Sequence, residues 1–149
     1  ECAQMHEMVK KIMKAYDGKV NFIFRHFPLV NVHQRSHKAA EAAIGAAQEG
    51  KFLEMHEMLF DNRRQLGTIS LKLYAKETGI TNKSFLNNLL DSKYGWYVQD
   101  DLKHGRDLGV KKVPAFFING EKLEGNITLK TLSESINNAL KKKKVRSAA

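Results

Sequence analysis

Apolar residues recur at helical spacing along most of this chain and alternate along one stretch only. From Ala3 to Tyr16, Met5, Met8, Val9, Ile12 and Met13 share one side of a helix, and Asp17-Gly18 stops it. Lys19–Phe27 alternates instead, with Val20, Phe22 and Phe24 on one face and Asn21, Ile23 and Arg25 on the other. Because Ile23 is apolar too, the pattern predicts a strand covered on both faces, ended by Phe27-Pro28-Leu29. A long helical stretch follows. Ala-rich Ser36–Glu49 closes at Gly50, Phe52–Gln65 at Gly67, and Ser70–Thr78 at Gly79. Thr81 is expected to cap a helix over Asn82–Leu90, and Tyr94–Leu108 is helical before Gly109, with Tyr94, Trp96 and Tyr97 expected in the core. Val113–Ile118 is a short apolar strand, Asn119-Gly120 a hairpin turn, and Glu121–Leu123 the returning strand. Leu129, Leu132, Ile136 and Leu140 place a closing amphipathic helix over Leu129–Leu140. The predicted order is helix, strand, four or five helices, β-hairpin, helix: an α/β chain with no linker or low-complexity break.

Length and composition narrow the class. At 149 residues the chain supports a single core, since a domain of about that size buries roughly 68–70% of its unfolded surface. With 42% hydrophobic and 28% charged residues it is not a largely disordered chain. No apolar run approaches the ~20 residues of a membrane span. Of the net charge of +9, five positives (Lys141, Lys142, Lys143, Lys144 and Arg146) lie in the last nine residues, which leaves +4 for the rest. The expected division is a domain over residues 1–140 and a basic tail over 141–149. Such a tail reads first as a solvated helix end favoured by the macrodipole, and second as a patch for an anionic surface. No aromatic stacking pattern or recognition motif accompanies the lysines, so nucleic acid is not an expected partner. The tetrapeptide MHEM occurs at Met5–Met8 and again at Met55–Met58, and in both helices its methionines suit core packing better than a copper site.

Candidate chemistry concentrates at two places. Cys2, the single cysteine, excludes an internal disulfide and any multi-cysteine metal site. It stands at the start of a helix, where orphan N–H groups and the positive end of the dipole stabilise a thiolate. The second place is Lys112-Val113-Pro114-Ala115-Phe116-Phe117, a proline at the start of a buried strand, where a missing ladder hydrogen bond is tolerated. A cis Val113-Pro114 bond there would present polar backbone to a docking chain. His6, at i+4 from Cys2, has three readings: a capping or solvent-facing histidine, a partner lowering the thiol pKa, or half of a Cys/His metal pair that lacks further ligands. No metal and no cofactor are expected. His26, His33, His37 and His56 read as structural, and His104 as a surface residue.

In this chain order the two features resemble the thioredoxin fold, and specifically the DsbA-like thiol:disulfide oxidoreductases. The resemblance runs through Glu1-Cys2 with Ala3-Gln4-Met5-His6, Phe27-Pro28-Leu29, and His37 with Ala39, Ala40, Ala42 and Ala43. It continues in Gly50-Lys51-Phe52 with Glu54-Met55-His56, and in Gly109 with Val113-Pro114-Ala115-Phe116-Phe117-Ile118-Asn119-Gly120; these last two segments are the most specific. It implies a thioredoxin-like domain with a helical insertion at about residues 35–92, between the second strand and the C-terminal hairpin and helix. It implies Cys2 as the catalytic sulfur, Val113 and Pro114 as the substrate-docking surface, and His6 as a possible pKa modulator.

Two departures qualify what the resemblance implies. The family motif has two cysteines, whereas here Glu1-Cys2 matches its start and Ala3-Gln4 matches the sequence after its second cysteine. Cys2 corresponds to either one, and Glu1 before it favours the first, attacking cysteine. The family's strand before the motif is absent as well, so an intact protein with ~20 or more further N-terminal residues is expected. The resemblance implies disulfide formation or exchange in cysteine-containing extracytoplasmic proteins, with a membrane or soluble redox partner. It places the protein in a bacterial periplasm or cell envelope. With a single cysteine, this chain is expected to be a poor dithiol oxidase. Two alternatives share the fold: a redox-inactive peptide-binding or chaperone module, and a glutathione-dependent kappa-type transferase or isomerase.

Overall fold

The computed structural model describes residues 2–148, with side chains described through Lys144. Glu1, expected to open the motif, lies outside the described residues, as does the Arg146 side chain expected in the tail. In chain order the elements are α1 (Cys2–Ala15), α2 (Ser36–Gln48), α3 (Phe52–Asp61), α4 (Thr68–Glu77), α5 (Ser84–Leu90), α6 (Gly95–Asp107), β1 (Phe117–Ile118), β2 (Glu121–Lys122) and α7 (Leu129–Ala148). They form two compact units, one of Glu1–Ile23 with Val110–Ala149 and the other of Phe24–Gly109.

The Phe24–Gly109 unit is built around α2, which packs against α3, α4, α5 and α6. A helix with four neighbours needs small side chains, and this is why its buried positions, Glu41 apart, are Ala39, Ala40, Ala42, Ala43, Gly45 and Ala46. At Gly45, a Cβ would stand 2.7 Å from the rings of both Phe85 and Tyr94. Larger apolar groups come from the neighbours: Met55, Leu71, Tyr74, Phe85, Leu89 and Tyr94 close the core with Ala42 and Ala46.

In the other unit, α1 and α7 pack through Ile12, Leu132 and Ile136, with Met8, Tyr16, Phe116, Ile118, Leu123 and Leu140 around them. The Tyr16 hydroxyl reaches the Ser133 carbonyl at 3.2 Å and Asn137 Oδ1 at 2.9 Å. β1 and β2 pair antiparallel, Phe117 opposite Lys122 and Ile118 opposite Glu121. Asn119 and Gly120 turn between them with φ of 50° and 86°, the pair of positive values that a tight hairpin of this type needs. α7 starts from a reciprocal cap: the Thr131 N–H donates to Thr128 Oγ1 at 3.1 Å and the Thr128 N–H to Thr131 Oγ1 at 2.9 Å.

Several expectations are corrected. Within the expected Lys19–Phe27 strand, Lys19 lies in a turn and residues 20–27 carry neither helix nor strand, and Ile23 is 75% exposed. The alternating pattern describes side-chain faces, but a strand also needs a neighbour for its N–H and C=O groups. Among the described residues, β1 and β2 pair only with each other. The Val113–Ile118 strand is confined to Phe117–Ile118, extended by one bond from the Leu123 N–H to the Phe116 carbonyl at 2.8 Å. The helix expected over Asn82–Leu90 starts at Ser84, and it is Asn82 rather than Thr81 whose side chain bonds its first residue, Oδ1 accepting the Ser84 N–H at 3.0 Å. Trp96 is 83% exposed instead of core. Tyr94, Val98 and Leu102, spaced four apart, take the inner face and turn Trp96 and Tyr97 outward. Finally, α7 does not stop at Leu140 but runs through the lysines to Ala148.

Candidate functional site

Cys2 is the first residue of α1 and is half-buried. Its position is set by packing farther along the helix, where Met8 and Ile12 join the core shared with α7 and β1. At the first turn the backbone N–H groups have no intrahelical acceptor and the dipole favours negative charge. Among the described residues, the first turn of α1 carries no acidic side chain. His6, also half-buried, follows one turn later at i+4, on the same side of the helix.

Val113 and Pro114 are half-buried in the bend leading to β1, and the peptide bond between them is cis. Two residues on, Phe116 packs into the cluster that contains Met8 and Ile12. One small core therefore anchors both the helix that begins at Cys2 and the segment that follows Pro114. Cys2, His6, Val113 and Pro114 all belong to the same compact unit.

Two polar arrangements in the Phe24–Gly109 unit escaped the sequence reading. The Glu41 carboxylate, 1% exposed inside the alanine face of α2, holds His37 Nδ1 at 3.0 Å and the Lys38 ammonium at 3.1 Å. Lys38 also donates to the Leu89 carbonyl at 2.8 Å and to Ser92 Oγ at 2.7 Å, while His37 Nε2 meets the Gln99 amide at 3.0 Å. The network stitches α2 to α5 and α6. A lone acid amid alanines was the available signal, because a buried carboxylate needs partners. The second arrangement is at Asp101 of α6, which accepts the His26 backbone N–H at 2.7 Å and pairs with the Arg25 guanidinium at 2.7 Å. The His26 ring lies among Phe24 and Phe52, with His56 and Phe60 continuing the aromatic row. Burial lowers the His26 pKa to about 4, against an opposing pull from Asp101 and with a smaller lowering from Arg25. Both arrangements hold helices and loops in place, consistent with the structural reading of His26 and His37.

A family profile described as Thioredoxin matches residues 1–138. Among curated proteins, the chain is similar to Na(+)/H(+) antiporter NhaA 3 of Salinispora tropica, 30% identical over 145 residues, which cover 97% of this chain and 22% of that protein. Na(+)/H(+) antiporter NhaA 1 of Salinispora arenicola matches at 30% over 139 residues, 93% of this chain and 21% of that one. The chain thus spans about a fifth of the length of the curated relatives it matches. Among solved structures, it is similar to a thioredoxin-like oxidoreductase from Silicibacter pomeroyi, with a TM-score of 0.79 at 21% identity over 94% of this chain and 79% of that one. The thiol-disulfide exchange protein alpha-DsbA2 from Wolbachia pipientis gives 0.77 at 22% identity over 93% and 74%. The two solved structures share the fold of this chain, and with the family profile covering residues 1–138 this chain belongs to the thioredoxin family.

Proposed function

We propose that this chain carries out thiol–disulfide exchange on cysteine-containing proteins, with Cys2 as the reacting sulfur and Val113 and Pro114 as the surface on which the substrate chain docks. The observation that carries the reading is a cysteine at the first position of α1, in the same compact unit as the half-buried Val113–Pro114 bend. The Cys2 thiolate attacks one sulfur of a substrate disulfide. A new S–S bond forms, the old one breaks, and the second substrate sulfur leaves as a thiolate. A helix N-terminus assists by favouring the thiolate form before attack. Release of the mixed disulfide takes a second thiol from the substrate or from a redox partner. The chemistry suits an oxidising compartment, so a bacterial periplasm or cell envelope is the proposed location.

The test is capture of a mixed disulfide. Incubated with a peptide carrying an activated disulfide, the chain should form a covalent adduct that dithiothreitol reverses and that Cys2→Ser abolishes. Pro114→Ala should slow adduct formation with the peptide while leaving reaction with a small alkylating agent unchanged. Equal peptide rates in the parent and Pro114→Ala chains would remove Pro114 from the docking surface. Absence of any adduct would overturn the function.

A further inference from the structure

Between β2 and α7 the chain reads Glu124-Gly125-Asn126-Ile127-Thr128. We propose that Asn126 is a modification site, its side-chain nitrogen accepting an N-linked oligosaccharide from a bacterial oligosaccharyltransferase.

The first observation is the order of residue types. Asparagine followed two residues later by serine or threonine, with no proline between, is the acceptor pattern for N-glycosylation. Bacterial transferases ask in addition for an acidic residue two positions before the asparagine, whose carboxylate pairs with a cation of the enzyme. Glu124 stands there, exposed and held only by a loose 3.6 Å pair with Lys122. The chain has a second such triplet, Asn82-Lys83-Ser84, but Ile80 occupies its acidic position.

The second observation is accessibility. Residues 123–128 form neither helix nor strand, and Glu124, Gly125, Asn126 and Thr128 are all exposed. Gly125, with a φ of 82°, bends the backbone immediately before Asn126.

The third is that the two asparagines are bonded differently. Asn82 holds the start of α5: its Nδ2 donates to Glu49 Oε1 at 2.6 Å, and its Oδ1 accepts the Ser84 N–H at 3.0 Å and the Ser84 hydroxyl at 2.7 Å. The nitrogen that would be glycosylated and the hydroxyl that would be recognised are both engaged. At Asn126 it is the backbone that is bonded, its carbonyl accepting Thr131 Oγ1 at 3.1 Å. Among the described residues, nothing hydrogen-bonds its side-chain amide. Thr128 shares its hydroxyl with Thr131 at 3.2 Å in the exposed cap of α7, a long bond that an enzyme donor or acceptor can replace.

The donor is an oligosaccharide linked through pyrophosphate to a polyprenyl lipid. Asn126 Nδ2 forms a bond to the anomeric carbon, whose bond to the pyrophosphate oxygen breaks. The lipid pyrophosphate leaves with the electron pair, and a base of the transferase takes one Nδ2 proton. In the cell this rests on the extracytoplasmic location proposed above. Acceptor competence is read on the purified chain and does not involve Cys2, so its failure and that of the thiol chemistry are told apart.

The full chain is incubated with a bacterial oligosaccharyltransferase and its lipid-linked donor, then read by intact mass and peptide mapping. A mass gain of one oligosaccharide is expected, mapped to Asn126. It should disappear with Asn126→Gln and Thr128→Ala, remain with Asn82→Gln and Thr128→Ser, and fall with Glu124→Gln. No mass gain, a gain that survives Asn126→Gln, or one that Glu124→Gln leaves undiminished would overturn the proposal.

Discussion

Asp101 accepts the backbone N–H of His26 at 2.7 Å while its other oxygen meets Arg25 at 2.7 Å. One carboxylate on α6 thereby fixes a stretch of chain that has no sheet to hold it. The same anchorage keeps the His26 ring in an apolar row beside Phe24 and Phe52, where its charged form is disfavoured.

That burial makes stability depend on pH in a defined direction. His26 has a folded pKa of about 4 against an ordinary 6.5, so the unfolded chain binds the proton first as pH falls. The stabilising preference for neutral His26 is complete above about 6.5 and is lost progressively down to about 4. Between pH 7 and pH 4.5, urea unfolding should show the parent chain losing roughly 2–3 kcal/mol that His26→Phe does not lose. Parallel losses in the two chains would show that the ring is solvated.

The Glu41 network predicts a second stability effect. Glu41→Gln keeps the shape of the side chain but gives up the charge that Lys38 and His37 meet. Chemical unfolding should show a loss of about 1.5–3 kcal/mol, the range for hydrogen bonds to a charged group. A loss below half a kilocalorie would mean that the carboxylate is dispensable.

At Gly45 the expected sign runs against helix propensity. Alanine is the better helix former by about 1 kcal/mol, yet its Cβ would stand 2.7 Å from the Phe85 and Tyr94 rings. Overpacking costs about 1–3 kcal/mol, so Gly45→Ala should lower the melting temperature. A rise would mean that the two rings retreat without cost.

Local signals in the sequence transferred well to the structure. Gly50, Gly79 and Gly109 close their helices with φ of 69°, 81° and 75°, and Asn119-Gly120 makes the turn its composition predicts. These positions depend on a residue's own backbone freedom. Features that depend on distant partners were harder to read. Val20, Phe22 and Phe24 alternate as a strand does, but a ladder is made between segments, and alternation cannot report whether a second segment is present. Trp96 reads as core until Tyr94, Val98 and Leu102 are seen to fill the inner face of α6. Glu41 and Lys38 stand in the sequence as an ordinary i,i+3 pair, and only the fold supplies Leu89 and Ser92 as further partners. At the candidate site, the sequence singles out Cys2 as the start of α1, whereas Pro114 falls in the bend ahead of β1 and not at the strand's first residue. The shared core of Ile12, Met8 and Phe116 that anchors both segments was not legible.

The central claim, that Cys2 is a reactive sulfur at an assembled helix N-terminus, is tested most directly by its alkylation rate across pH, in folded and in urea-unfolded protein. The folded chain should titrate with a midpoint well below the ordinary ~8.5 of a thiol, and the unfolded chain near that value. A single midpoint near 8.5 in both states would contradict the account.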